Sequence, residues 1–149
     1  MNYNKEVISR LTELIKGNDA ARGWLQKNNF PELILLHYSF IGHDDALKKV
    51  SDKEHFDVVA FAHAVRGDKK ALKWLLENKK TEWAATANLI NRDKKAEAWL
   101  RNYKLYHYIE LAKAIKENTD IVEDDDIFRT IARSFRMLIV GFFRMLRKK

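Results

Sequence analysis

Residues 67–75, GDKKALKWL, and residues 92–100, RDKKAEAWL, agree in six of nine letters at a spacing of 25. A unit this short cannot bury an apolar face alone, so it must stack on its own copies, and the period therefore constrains the fold before any single residue does. In rows of 25 from Gly17 the columns repeat. One reads Gly17, Gly42, Gly67 and Arg92, and four places on stand Ala21, Ala46, Ala71 and Ala96. Trp24, Lys49, Trp74 and Trp99 follow, then Leu25, Val50, Leu75 and Leu100. The second half of each row carries Leu33, Val58, Trp83 and Tyr108, then Phe40, Val65, Ile90 and Ile115. Ile8, Leu11 and Ile15 fit the same second-half columns, which makes residues 4–16 a half repeat ahead of repeats 17–41, 42–66, 67–91 and 92–116.

Each row predicts two helices. Ala71, Leu72, Trp74, Leu75 and Leu76 recur at helical spacing between charged positions. Asp68 and Asp93 stand at N-cap positions, where a carboxylate accepts an unpaired backbone N–H. The second helix is expected to start near Pro31, Phe56, Thr81 and Tyr106, and the glycines fit left-handed residues at its end. Sustained alternation and hairpin turns are absent, so the chain reads as all-α, a short superhelix of stacked hairpins over residues 1–118 followed by an amphipathic helix within 119–149. The architecture resembles the α-solenoid class of HEAT, armadillo and tetratricopeptide proteins. That resemblance implies a surface that holds a partner, and it extends over about residues 4 to 116. The 25-residue period is shorter than the roughly 34 to 47 residues of those families, and no specific family's residues carry over.

Catalytic constellations are not evident. His37, His43, His55, His63 and His107 fall in five different columns and lack the i, i+4 spacing of a zinc helix. The chain contains no cysteine, which removes disulfides, thiolate metal sites and thiol nucleophiles and fits a reducing compartment. The run Glu123 to Asp126 lacks the alternate spacing and central glycine of a calcium loop and reads as the acidic start of a helix. No enzyme activity, cofactor or metal is expected. Trp24, Trp74 and Trp99 read as core between repeats, and Trp83 as filler against small neighbours.

Two surfaces stand out. Lys69 and Lys70 recur as Lys94 and Lys95, with Lys73 one turn on, so neighbouring repeats present a lysine ridge where the first two rows carry Asp19, Asp44 and Asp45. With a net charge of +7, that ridge suits an acidic protein partner, and a nucleic acid less well because arginine forks and interleaved aromatics are not evident beside it. Beyond Asn118 the register ends. There Arg129, Arg133, Arg136, Arg144 and Arg147 share one helical arc, opposite Ile127, Phe135, Leu138 and Phe142, with Phe143 widening the apolar side. This basic amphipathic stretch suits a cap on the last hairpin, an anionic membrane surface, or a docking and self-association helix. The longest charge-free apolar stretch, residues 137–143, is far short of the roughly 18 to 20 residues a membrane span needs. The expected role is a non-enzymatic interaction scaffold; the alternatives are a peripheral membrane adaptor and a nucleic-acid binder. A cytoplasmic or membrane-peripheral location is expected, because MNYNKEVISR carries no apolar signal core.

Overall fold

The computed structural model describes residues 3–50 and 53–121, and among these it is all-helical, with eight α-helices and no strand. The helices are α1 (Lys5–Ile15), α2 (Asp19–Lys27), α3 (Pro31–Phe40), α4 (Phe56–Val65), α5 (Lys69–Glu77), α6 (Thr81–Ile90), α7 (Lys94–Asn102) and α8 (Tyr106–Asn118). The short helices α2, α5 and α7 start 25 or 50 residues apart, and so do the apolar helices α3, α4, α6 and α8. The period lies in the turns as much as in the helices. At one end of each hairpin Gly17, Gly42, Gly67 and Arg92 take φ of +100°, +100°, +94° and +70°, and at the other Asn29, Lys79 and Lys104 take +68°, +58° and +57°. After each, an N–H reaches back five residues, as from Asp68 to His63 and from Lys80 to Leu75, closing a three-residue turn that cannot lengthen without breaking the register.

The capping differs between the two helix sets. Asn4, Asn18, Asp68 and Asp93 cap α1, α2, α5 and α7 with their side chains. The N-caps of α3, α4, α6 and α8 are Phe30, His55, Lys80 and Leu105, none of which makes a side-chain cap bond. In the second row Lys49 and Val50 replace the Trp-Leu pair, and that segment forms a 3-10 helix, Asp44–Lys49, in place of an α-helix. Without the indole and the leucine it has less apolar area to hold a regular amphipathic helix against the core.

The helix packing shows a closure that the columns do not reveal. Helix α1 packs on α3, α3 on α4, α4 on α6 and α6 on α8, and α8 packs back on α1. Five inner helices thus make a ring. Outside it, α2 bridges α1 and α3, α5 bridges α4 and α6, and α7 bridges α6 and α8. The inner helices run parallel. Their starts meet where Tyr3 touches Phe30 and Trp83, and their ends meet where Arg66 donates to the Ser39 carbonyl and Asn91 to the Ala64 carbonyl. Buried alanines, including Ala60, Ala62, Ala64, Ala84, Ala87, Ala112 and Ala114, let neighbouring inner helices approach closely. Larger side chains fill the axis: Trp83, 2% exposed, meets Tyr3, Phe61 and Tyr108 with ring centroids 4.5 to 5.8 Å away. Trp83 is therefore the centre of the core. Trp24, Trp74 and Trp99 sit further out, half-buried against Phe30, Phe56 and Tyr103.

Candidate functional site

Closure of the ring brings five helix starts to one end, and each carries the positive end of a backbone dipole. The second residue of the inner helices is Glu6 in α1, which is exposed, Glu32 in α3, Asp57 in α4, Glu82 in α6 and His107 in α8. Glu32 and Asp57 are both 3% exposed, which for a carboxylate requires partners of opposite charge or hydrogen-bond donors. The Tyr3 hydroxyl donates to Glu32 Oε1 at 2.8 Å, and His55 Nδ1 lies 3.7 Å from the same oxygen. Asp57 Oδ1 accepts the Val58 N–H at 2.9 Å, doing from within the first turn what its N-cap does not, and Lys80 Nζ is 3.9 Å from Oδ2. Glu32 Oε2 and Asp57 Oδ2 accept no hydrogen bond among the described residues. Burial, then Glu32, drive the Tyr3 phenol far above its usual range, and burial, then Glu82 and Asp57, push Tyr108 well above its own. Burial, followed by Lys5, lowers His107. The cluster thus holds its tyrosines protonated and answers converging helix dipoles with carboxylates.

Above this cluster lies an aromatic and basic rim made by the turns that lead into the inner helices. Exposed large hydrophobics among the described residues are Ile41, Phe56, Tyr103 and Tyr106, and the last three belong to this rim. Lys5, Lys79 and Lys104 stand exposed beside them.

The lysine ridge lies at the opposite end. Lys69 and Lys70 open α5 and Lys94 and Lys95 open α7, all exposed, and none of the four pairs with a carboxylate among the described residues. Lys73 is held by Glu77 at 3.7 Å. Asp68 accepts the Lys70 and Ala71 N–H groups and Asp93 accepts that of Lys95, so both aspartates serve as caps. Asp19 and Asp45 are exposed on the same end, which divides it into an acidic and a basic part. The helical face of Arg129, Arg133, Arg136, Phe142, Phe143, Arg144 and Arg147 lies outside the described residues, as does the acidic run from Glu123.

The histidines do not assemble. His63 is in the last turn of α4 and His107 in the first turn of α8, at opposite ends of parallel helices. His37 is buried with its pKa lowered by that burial and by Arg22, and His43 leans edge-on against Tyr38. No group of histidine and acidic side chains among the described residues is arranged to hold a metal ion. Two shallow grooves run along α3 and share Leu35 and Tyr38. One is bounded by Asp19 and Arg22 of α2 with Pro31 at the start of α3, and the other by His43, Asp45 and Lys49. The latter opens where the second row lacks its tryptophan.

Sequence reasoning missed the axial cluster and the aromatic rim. The signal for the first was an acidic column, Glu32, Asp57 and Glu82, at the period already in hand. Comparison with known proteins gives no match to a family model, to a curated protein or to a solved structure.

Proposed function

We propose that the chain is a non-enzymatic scaffold, a short solenoid of hairpins closed on itself, that holds an acidic protein partner on the ridge of Lys69, Lys70, Lys73, Lys94 and Lys95. One observation carries this reading. The first turn of a helix favours acidic side chains, because the backbone dipole is positive there, and a lysine at that place costs a few tenths of a kcal/mol or more. Helices α5 and α7 nevertheless both open on a pair of exposed lysines. The Asp caps account for helix initiation, and the lysines contribute nothing further to it. An acidic partner would gain from both the ammonium groups and the helix starts behind them.

The test is binding of a labelled Glu-rich peptide by fluorescence anisotropy. Binding should weaken with salt and be lost when Lys70 and Lys95 are both changed to Glu, with helicity by circular dichroism unchanged. Equal binding by the double variant would remove the ridge from consideration.

A second reading, a peripheral membrane adaptor, rests on a shared direction. Helix α8 ends at the same end of the ring as the lysine ridge, and the sequence beyond it carries a basic amphipathic pattern. No described helix is long and apolar enough to cross a membrane, so this would be a surface attachment. Flotation with phosphatidylserine vesicles should then be shown by the full chain and lost in a chain ending at Asn118. If neither floats, the membrane reading fails.

A further inference from the structure

We propose that the rim over the starts of α4, α6 and α8 is a binding surface for single-stranded nucleic acid, with Tyr103, Tyr106 and Phe56 stacking on bases and Lys5, Lys79 and Lys104 meeting phosphates. This surface lies at the other end of the ring from the lysine ridge and stands independently of the scaffold reading.

Four observations lead there. The first is the placement of exposed aromatics. Tyr103 and Tyr106 are each 52% exposed and Phe56 is 47% exposed, and two of the three, Phe56 and Tyr103, have an indole packed against the ring. Phe56 meets Trp74 with centroids 4.7 Å apart, and Tyr103 meets Trp99 at the same separation. A half-exposed ring braced by an indole loses little conformational freedom when a base stacks on its open face, which makes such rings good platforms for unpaired bases. The second is spacing. Phe56 and Tyr106 are the first residues of α4 and α8, which flank α6 in the ring. With axes about 8 to 10 Å apart, one member intervening puts them roughly 15 Å apart, enough for a short run of bases.

The third observation concerns the backbone. Lys79 and Lys104 adopt φ of +58° and +57°, where glycine or asparagine is easier to place, and the matching residue of the first hairpin is Asn29. Both turns carry a lysine all the same, and both lysines are exposed and without an ion pair among the described residues. The fourth is the local field. Several carboxylates near the rim are engaged: Glu77 with Lys73 at 3.7 Å, Glu6 with Arg10 at 3.8 Å, Glu110 with Lys113 at 3.9 Å, and the buried Asp57 with Lys80 at 3.9 Å. Part-buried Glu82 and exposed Glu54, which stands in the same column as Lys79 and Lys104, are the opposing charges, against the three ammonium groups and the starts of α4, α6, α8 and α1. Lys5, which opens α1, extends the patch past Tyr106, close enough to His107 to lower its pKa.

Stacking predicts a preference for single strands, since a duplex hides the base faces, and little dependence on sequence. The assay is fluorescence anisotropy of the full chain with a labelled oligothymidine of about 12 nucleotides, within the range a single small domain occupies. Three lysine contacts should give a slope of log affinity against log salt of about −2, from roughly 0.7 per phosphate on a single strand. Tyr106→Ala with Tyr103→Ala should weaken binding at least about fivefold at constant salt, the lower end for loss of a stacked base. The Lys79→Glu, Lys104→Glu double variant should abolish it. Lys70→Glu with Lys95→Glu, at the far end, should leave it unchanged, and the same variant tests the scaffold reading with the acidic peptide. The proposal is overturned by absence of binding, by equal affinity for duplex, by indifference to the two tyrosines, or by equal loss from charge reversal at the far end. Vesicle binding that depends on these tyrosines, with no oligonucleotide binding, would assign the rim to a lipid surface and overturn it too.

Discussion

The closed ring can be tested at its axis by a single oxygen atom. Tyr3 precedes α1, yet its hydroxyl donates at 2.8 Å to Glu32, 29 residues away in α3, and its ring meets Trp83 of α6 edge-on at 5.8 Å. Tyr3→Phe keeps the ring, its edge contacts and its burial at 6% exposure, and deletes only the donor. What remains near Glu32 Oε1 is His55 Nδ1 at 3.7 Å, beyond hydrogen-bond length, and Glu32 Oε2 has no donor among the described residues. A bond to a charged acceptor contributes about 1.5 to 3 kcal/mol, and the upper part of that range is appropriate when the acceptor is left buried and unsatisfied. For a chain of this size about 3 °C accompanies each kcal/mol, so the melting temperature should fall by roughly 4 to 9 °C.

Urea unfolding by circular dichroism measures the loss directly, and an unchanged m-value would show that the variant keeps its compactness. The companion variant is Glu32→Gln, whose side-chain carbonyl can still accept but carries no charge. If the bond matters as described, the Tyr3→Phe, Glu32→Gln double variant should lose less than the sum of the singles by about 1 kcal/mol or more. A Tyr3→Phe change within about 0.5 kcal/mol of wild type, or strict additivity with Glu32→Gln, would refute the account of the axis as a cluster in which Tyr3 secures a buried carboxylate.

Three further outcomes follow from the same geometry. Above about pH 10 an unfolded tyrosine releases its proton while Tyr3 and Tyr108 keep theirs, so the folded state binds more protons and stability must fall as pH rises, by about 1.4 kcal/mol per pH unit for each group. Tyr108→Phe should therefore flatten the alkaline limb of stability against pH, and an unaltered limb would argue against its burial beside Glu82 and Asp57. On the acid side the sign reverses in pH but not in origin. His37 and His107 have lowered pKa values, so below about pH 6.5 the unfolded chain takes up protons that the folded chain resists, and stability is lost. His37→Gln should reduce the difference in urea midpoint between pH 7.5 and 5, and an unchanged difference would place the acid sensitivity elsewhere. Finally, a Cβ on Gly17 would meet nothing within 4 Å, so Gly17→Ala should cost only the backbone strain of φ +100°, about 1 to 2 kcal/mol. A loss well beyond that in thermal unfolding would refute the open space around Gly17.

What could be read from the sequence was what local chemistry decides. Asp68 and Asp93 sit one residue before helices that need a cap, and Gly17, Gly42 and Gly67 take the backbone angles glycine takes most readily, so the helix boundaries could be read from the letters. Asn29, Lys79 and Lys104 occupy the same left-handed region at the other end of the hairpin, but only the asparagine is a residue that announces it. Lys49 in the tryptophan column marked the irregular unit, although a 3-10 helix was not deducible from it.

The axial cluster shows where such reading stops. A first-turn acid in an isolated hairpin belongs in solvent, and Glu32, Asp57 and Glu82 taken one at a time are ordinary helix starts. The burial of Glu32 and Asp57 at the axis goes with a ring closed by α8 packing against α1, a contact between residues about 100 positions apart that no column of a 25-residue alignment contains. Once the ring closes, the same positions face one another under five converging dipoles. A charge that elsewhere would be a costly thing to bury becomes the counterpart of the helix starts around it. The period specifies the unit, but the number of units and the fit of the last against the first decide which of its polar residues end up inside.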